Sequence, residues 1–86
     1  SMEIEYAPSL ARAYCKLSAE VRVRAKDAER AFRFDPFDVR LKTHKLHGRL
    51  SDAWAFSVDA RYRIIFEFSR KHVVRFLAIG SHNVYQ

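Results

Sequence analysis

Eighty-six residues, 49% of them hydrophobic and 14% aromatic with two Gly and two Pro, suffice for one globular domain over 1–86 and exclude a disordered or low-complexity chain. Cys15 is the single cysteine, which excludes an internal disulfide and any thiolate zinc site needing two; with no apolar run of membrane-spanning length and no signal-peptide pattern in SMEIEYAP, a cytoplasmic protein is expected. The net charge of +6 is uneven: residues 1–39 hold seven basic and seven acidic side chains, residues 40–86 nine basic against Asp52, Asp59 and Glu67, which favours a polyanionic partner, nucleic acid before membrane surface.

EIEYA is short and alternating and predicts a first strand, with Pro8 suited to a turn or to the first position of a helix. Leu10, Ala13, Tyr14 and Leu17 recur at helical spacing. Ser18 then reads as an N-cap, and Val21, Ala25, Ala28 and Phe32 predict a second amphipathic helix over Ala19 to Phe34. The run DPFD ends it, because Pro36 cannot donate to the helical ladder and disfavours helix at Asp35. From Ala53 the period becomes two. WAFSV sets Trp54, Phe56 and Val58 on one face; YRIIFEF sets Tyr62, Ile64, Phe66 and Phe68 on one face with Arg63, Ile65 and Glu67 opposite.

These two strands are expected to form a hairpin joined at Asp59 to Arg61, with Trp54, Phe56, Ile64 and Phe66 in the core. After a turn at Ser69 to Lys71, VVRFLAIG predicts a third strand whose apolar residues do not strictly alternate, as in a central strand covered on both faces. The expected fold is α+β, ordered β-α-α-β-β-β, with two N-terminal helices packed on one face of an antiparallel sheet.

The stretch LKTHKLHGRL, residues 41–50, concentrates two histidines and three cations with no acidic residue. A zinc reading of His44 and His47 is weak, since there are no paired cysteines and no HExxH. Cys15, within the first helix, reads as an inert half-buried thiol. Phosphate chemistry needs cations to hold a phosphodiester and groups that move protons near neutral pH. Lys42, Lys45 and Arg49 flank the histidines, Arg61 and Arg63 bracket the start of the second hairpin strand, and His82 follows Gly80 just past the last one. Tyr85 could stack on a base or cap the core. The plain alternative for each is a solvated surface residue.

The succession THKLHG, WAFSV, YRIIFEF and LAIGSHNVY, preceded by YAPSLARAYCKL and DPF, resembles the RelE/ParE toxin superfamily, most closely its YafQ-like branch. The likeness spans nearly the whole chain. It implies a RelE-like fold, a ribosome-associated mRNA endonuclease acting without metal or other cofactor, and a cognate antitoxin that wraps the toxin. Carried over by motif, the histidine of the G-[ST]-H setting corresponds to His82 and is catalytic; a second histidine ahead of the hairpin corresponds to His44. The arginine of the YR-apolar-apolar strand, which contacts the scissile phosphate, corresponds to Arg63, and the C-terminal aromatic to Tyr85. Lys42, Lys45, Arg49 and Arg61 would then grip RNA. Two positions depart: Ser57 stands where YafQ has a further histidine, and Arg61 with Tyr62 where it has an Asp-Trp pair. Serine does not carry protons near pH 7. A ParE-like gyrase poison and an inactive antitoxin-binding homologue therefore remain as alternatives.

Overall fold

The computed structural model describes residues 2–48 and 52–81. Strand β1 (Glu3–Tyr6) leads into helices α1 (Pro8–Cys15) and α2 (Ala19–Phe34), a 3-10 turn (Val39–Leu41), and strands β2 (His44–Lys45), β3 (Trp54–Ser57), β4 (Arg63–Arg70) and β5 (Val73–Gly80). Pro8 sits in the first turn of α1. Ser18 caps α2, its hydroxyl accepting from the Val21 amide at 3.3 Å. At the other end the Asp35 carboxylate accepts the Phe37 amide at 2.9 Å, turning the chain at Pro36.

The five strands form one sheet in the order β1-β5-β4-β3-β2. All neighbours are antiparallel except one: β1 pairs parallel with β5, Glu3 opposite Val73 and Tyr6 opposite Phe76. The sheet is therefore mixed, where the sequence led us to expect a purely antiparallel one. Parallel strands need a long connection, and here α1 and α2 carry the chain from β1 to β2 at the other edge, from which β3 and β4 lead back to β5. Strand β2 is an addition to the expected order, because two residues are too short to show a period.

One face of the sheet carries the helices. Leu10, Ala25, Ala28 and Phe32 pack there with Phe56, Ile64, Phe66, Val74, Phe76 and Ile79. Phe32 is fully buried at the centre, its ring 4.8 Å from those of Phe56 and Phe66 and 5.3 Å from that of Phe76. Trp54 is only half-buried and stands edge-on to Phe37 and Phe68 at 5.4 and 5.7 Å, in an aromatic cluster at the rim of the core. Cys15 is exposed rather than half-buried.

The uneven alternation of β5 comes from a bulge. Ile65 pairs with Ala78 but Phe66 with Phe76, so Leu77 is the extra residue, and Ser9 at the start of α1 donates its hydroxyl to the Leu77 carbonyl at 3.3 Å. The turn into β5 is Lys71–His72, two residues later than Ser69, with His72 in the left-handed region at φ 63°. On the helix-free face a smaller cluster of Leu46, Ala53, Ala55 and Ile65 is buried, and the Leu46 amide donates to the Ala53 carbonyl at 2.9 Å.

Candidate functional site

Strand parity decides which side chains share the helix-free face. His44 pairs with Ala55, Ala55 with Ile65 and Ile65 with Ala78, in one row across the sheet. Two residues further along, Ser57 pairs with Arg63 and Arg63 with Gly80. Because alternate residues of a strand face the same way, Ser57 and Arg63 stand on the face of Ala55 and Ile65, away from the helices. Glu67 and Arg75 form a further pair on the same strands. Gly80, directly beside Arg63, is two positions before His82.

The Arg63 side chain is half-buried, and its Nη1 donates to two backbone carbonyls of the preceding turn, Asp59 at 2.7 Å and Tyr62 at 3.1 Å. That turn is built by Asp59. One carboxylate oxygen, Oδ1, accepts the amides of Arg61 and Tyr62, each at 2.8 Å; the other, Oδ2, accepts Nη1 of Arg24 from α2 at 3.2 Å. Partial burial alone would raise the Asp59 pKa, but the Tyr62 and Arg61 amides and the Arg24 guanidinium outweigh it and hold the carboxyl below its usual range.

His44 is exposed on β2, with its Nδ1 3.0 Å from the Lys42 carbonyl oxygen. A carbonyl only accepts, so Nδ1 carries the hydrogen and, in the neutral ring, Nε2 carries the lone pair. The segment around it is anchored by two leucines that the sequence reading had passed over: Leu41 is buried in the main core and Leu46 in the second cluster. Lys42 is exposed and takes a left-handed conformation, φ 53°, ending the 3-10 turn. Lys45 is exposed too, but it pairs with Trp54 and so faces the opposite side of β2 from His44. Within the described part of LKTHKLHGRL, strand parity therefore separates Lys45 from His44.

Arg61 is exposed on the hairpin turn, and His47 is exposed beyond β2. His82, Tyr85 and Arg49 lie outside the described residues. The sequence reading missed Asp59 as an organising residue, although an Asp opening a short turn between two alternating strands is the available signal. Among the described residues no group of three His, Cys, Asp or Glu side chains could hold a metal ion, and no helix is long and apolar enough to cross a membrane.

No protein-family model matches the chain, and no curated protein matches it in sequence. Solved structures do. The YoeB/ParE toxin from Agrobacterium tumefaciens superposes with a TM-score of 0.78 at 18% identity, over 94% of this chain and 99% of that one. YafQ from E. coli strain BL21(DE3) gives 0.75 at 17% identity over 98% and 97% of the two chains. A chain of the archaeal RelE-RelB complex from Pyrococcus horikoshii OT3 gives 0.75 at 17% identity over 93% of each. Such agreement over nearly the full length of each partner, with two helices against a five-stranded mixed sheet, shows that this chain has the fold of the RelE/ParE toxin superfamily, YafQ-like toxins included.

Proposed function

We propose that the chain is the toxin of a type II toxin–antitoxin pair and cleaves mRNA on the ribosome without a metal ion, its action held in check by a cognate antitoxin protein. The observation that carries this reading is the row Ser57, Arg63, Gly80: a cationic side chain on the helix-free face, next to the strand end that runs on into His82. In the reaction the RNA 2′-oxygen attacks the adjacent phosphorus, the bond to the 5′-oxygen breaks, and a 2′,3′-cyclic phosphate remains. One group takes the 2′-hydroxyl proton, another gives a proton to the departing 5′-oxygen, and a cation stabilises the pentacoordinate anion. His82 and His44 are assigned the proton transfers, Arg63 the anion, and Tyr85 a base-stacking contact. Lys42, Lys45, Arg49 and Arg61 hold RNA phosphates.

The test is single-turnover cleavage of mRNA on a programmed ribosome by the wild type, His82→Ala, His44→Ala and the control His72→Gly, whose left-handed backbone suits glycine. Loss of a proton carrier typically lowers the rate ~10²–10⁴-fold. His82→Ala should do so with ribosome affinity unchanged, and His72→Gly should match the wild type. Cleavage by His82→Ala at the wild-type rate would overturn the assignment. A wild type that cleaves nothing but inhibits gyrase supercoiling would move the chain to the ParE-like class. One that does neither would leave an antitoxin-binding homologue, with Ser57 as the missing proton carrier.

A further inference from the structure

Among the described residues Arg63 has no acidic partner. Its guanidinium rests on main-chain oxygens, and those oxygens lie where they do because of one side chain. The Asp59 Oδ1 accepts the amides of the next residue but one and of the residue after it, each at 2.8 Å, which fixes the conformation between Asp59 and Tyr62. The backbone closes the same turn, the Val58 amide donating to the Tyr62 carbonyl at 2.9 Å. The Tyr62 carbonyl thus accepts the Val58 amide, the Asp59 amide at 3.4 Å and Arg63, and the Asp59 carbonyl accepts Arg63 at 2.7 Å. Oδ2 does separate work: through Arg24 it ties the turn to α2, thirty-five positions away in the chain.

We infer that Asp59 is a positioning residue for Arg63: by shaping the β3–β4 turn it aims two backbone carbonyls that hold the guanidinium in place on the helix-free face, while no carboxylate among the described residues cancels its charge. The ion pairs found for the described residues leave Arg63 out and engage Asp59 only with Arg24. A carbonyl pair orients a guanidinium while preserving its full charge for an anion, whereas a carboxylate in the same place would neutralise it. This role rests on the proposed endonuclease reading for its catalytic consequence, but the positioning itself can be tested apart from it.

The two carboxylate oxygens allow a clean separation. Asp59→Asn keeps an acceptor for the two amides and loses the acceptor for Arg24; Asp59→Ala loses both; Arg24→Ala loses only the tie to the helix. The readouts are the ¹⁵N-resolved NMR signal of the Arg63 guanidinium, whose slowed rotation reports its restraint, and single-turnover mRNA cleavage. Asp59→Asn and Arg24→Ala should keep the restrained Arg63 signal and cleave within about threefold of the wild type. Asp59→Ala should lose the restraint and lower the cleavage rate by an order of magnitude or more at unchanged ribosome affinity, a split that general destabilisation would not produce.

If Asp59→Ala keeps Arg63 restrained, or if Asp59→Asn loses the restraint as fully as Asp59→Ala, the inference is wrong whatever the cleavage data show. If the restraint follows the expected pattern while the wild type cleaves no RNA, the positioning role stands and the endonuclease reading falls. Should Asp59→Ala fail to fold, the comparison of Asp59→Asn with the wild type still decides: a mobile Arg63 in the Asn variant overturns the role, and a restrained one supports it.

Discussion

Tyr6 donates its hydroxyl to Glu29 Oε1 at 2.6 Å, linking β1 to α2. Partial burial is the main cause that pushes this phenol up to about 12, and the bond to Glu29 adds to it. A phenol with a folded pKa above its unfolded value of ~10 stabilises the fold fully below that value. The contribution is lost as pH rises through about 12. A tyrosinate absorbance titration should therefore show a late component that Tyr6→Phe removes, and the wild type should lose stability faster than Tyr6→Phe between pH 10 and 12. Tyr14, also raised by burial, titrates above the ordinary phenol range in both proteins and so cancels in the comparison. Identical titrations of the two would refute the assignment. Asp59 behaves in the opposite sense. Its carboxyl is depressed, so its support for the hairpin turn is present above the ordinary Asp range and disappears as pH falls through the lower folded value.

The elements differ in how plainly the sequence announced them. Helix α2 was legible to the residue, Ala19–Phe34, because a serine cap, a stripe of Val21, Ala25, Ala28 and Phe32, and Pro36 beyond the end all agree. The parity of Arg63 against Ile64 was legible for the same kind of reason: side chains on a strand alternate, and the apolar set must go inward. Strand β2 was hidden because two residues carry no period. The parallel placement of β1 was hidden because pairing direction depends on how the helices cross, which no local pattern encodes. Asp59 was legible as the start of the hairpin turn but not as its organiser, since its partner Arg24 lies on another element.

The joint between α2 and the sheet can be tested directly. Phe32→Ala removes a fully buried ring and should cost about 3–5 kcal/mol by denaturant unfolding. Phe34→Ala, two residues along and 86% exposed, should stay within about 0.5 kcal/mol. Similar values for the two would mean that the stripe had been assigned to the wrong face.

At the scale of the whole molecule, charge rather than shape governs encounter with a polyanion. The basic excess of residues 40–86 predicts that affinity for ribosomal RNA falls steeply with salt, by roughly 10³-fold or more between about 50 and 200 mM if six or more phosphates are engaged. Reversing Lys42 and Lys45, both exposed, tests which cations the RNA engages. Lys42→Glu and Lys45→Glu should each flatten the salt dependence if RNA wraps the edge. If only one does, RNA engages that cation and not the other. An affinity that is flat with salt in the wild type would count against electrostatic binding altogether.

The parallel pairing of β1 with β5 also sets an order in time. Glu3 meets Val73 seventy positions along the chain, whereas β3, β4 and β5 meet across short turns. Closing that long loop costs entropy before any contact returns it, so the β3–β4–β5 meander is expected to form in the folding transition state with β1 docking after it. Truncation of Ile64 in β4 should then chiefly slow folding, and truncation of Ile4 in β1 should chiefly speed unfolding, in stopped-flow chevrons of the two variants. The reverse pattern would mean that the termini nucleate the sheet. During synthesis the same topology leaves β1 without its partner until residues 73–80 have followed it off the ribosome. The sheet that presents Arg63 is therefore completed only after β5 has been made.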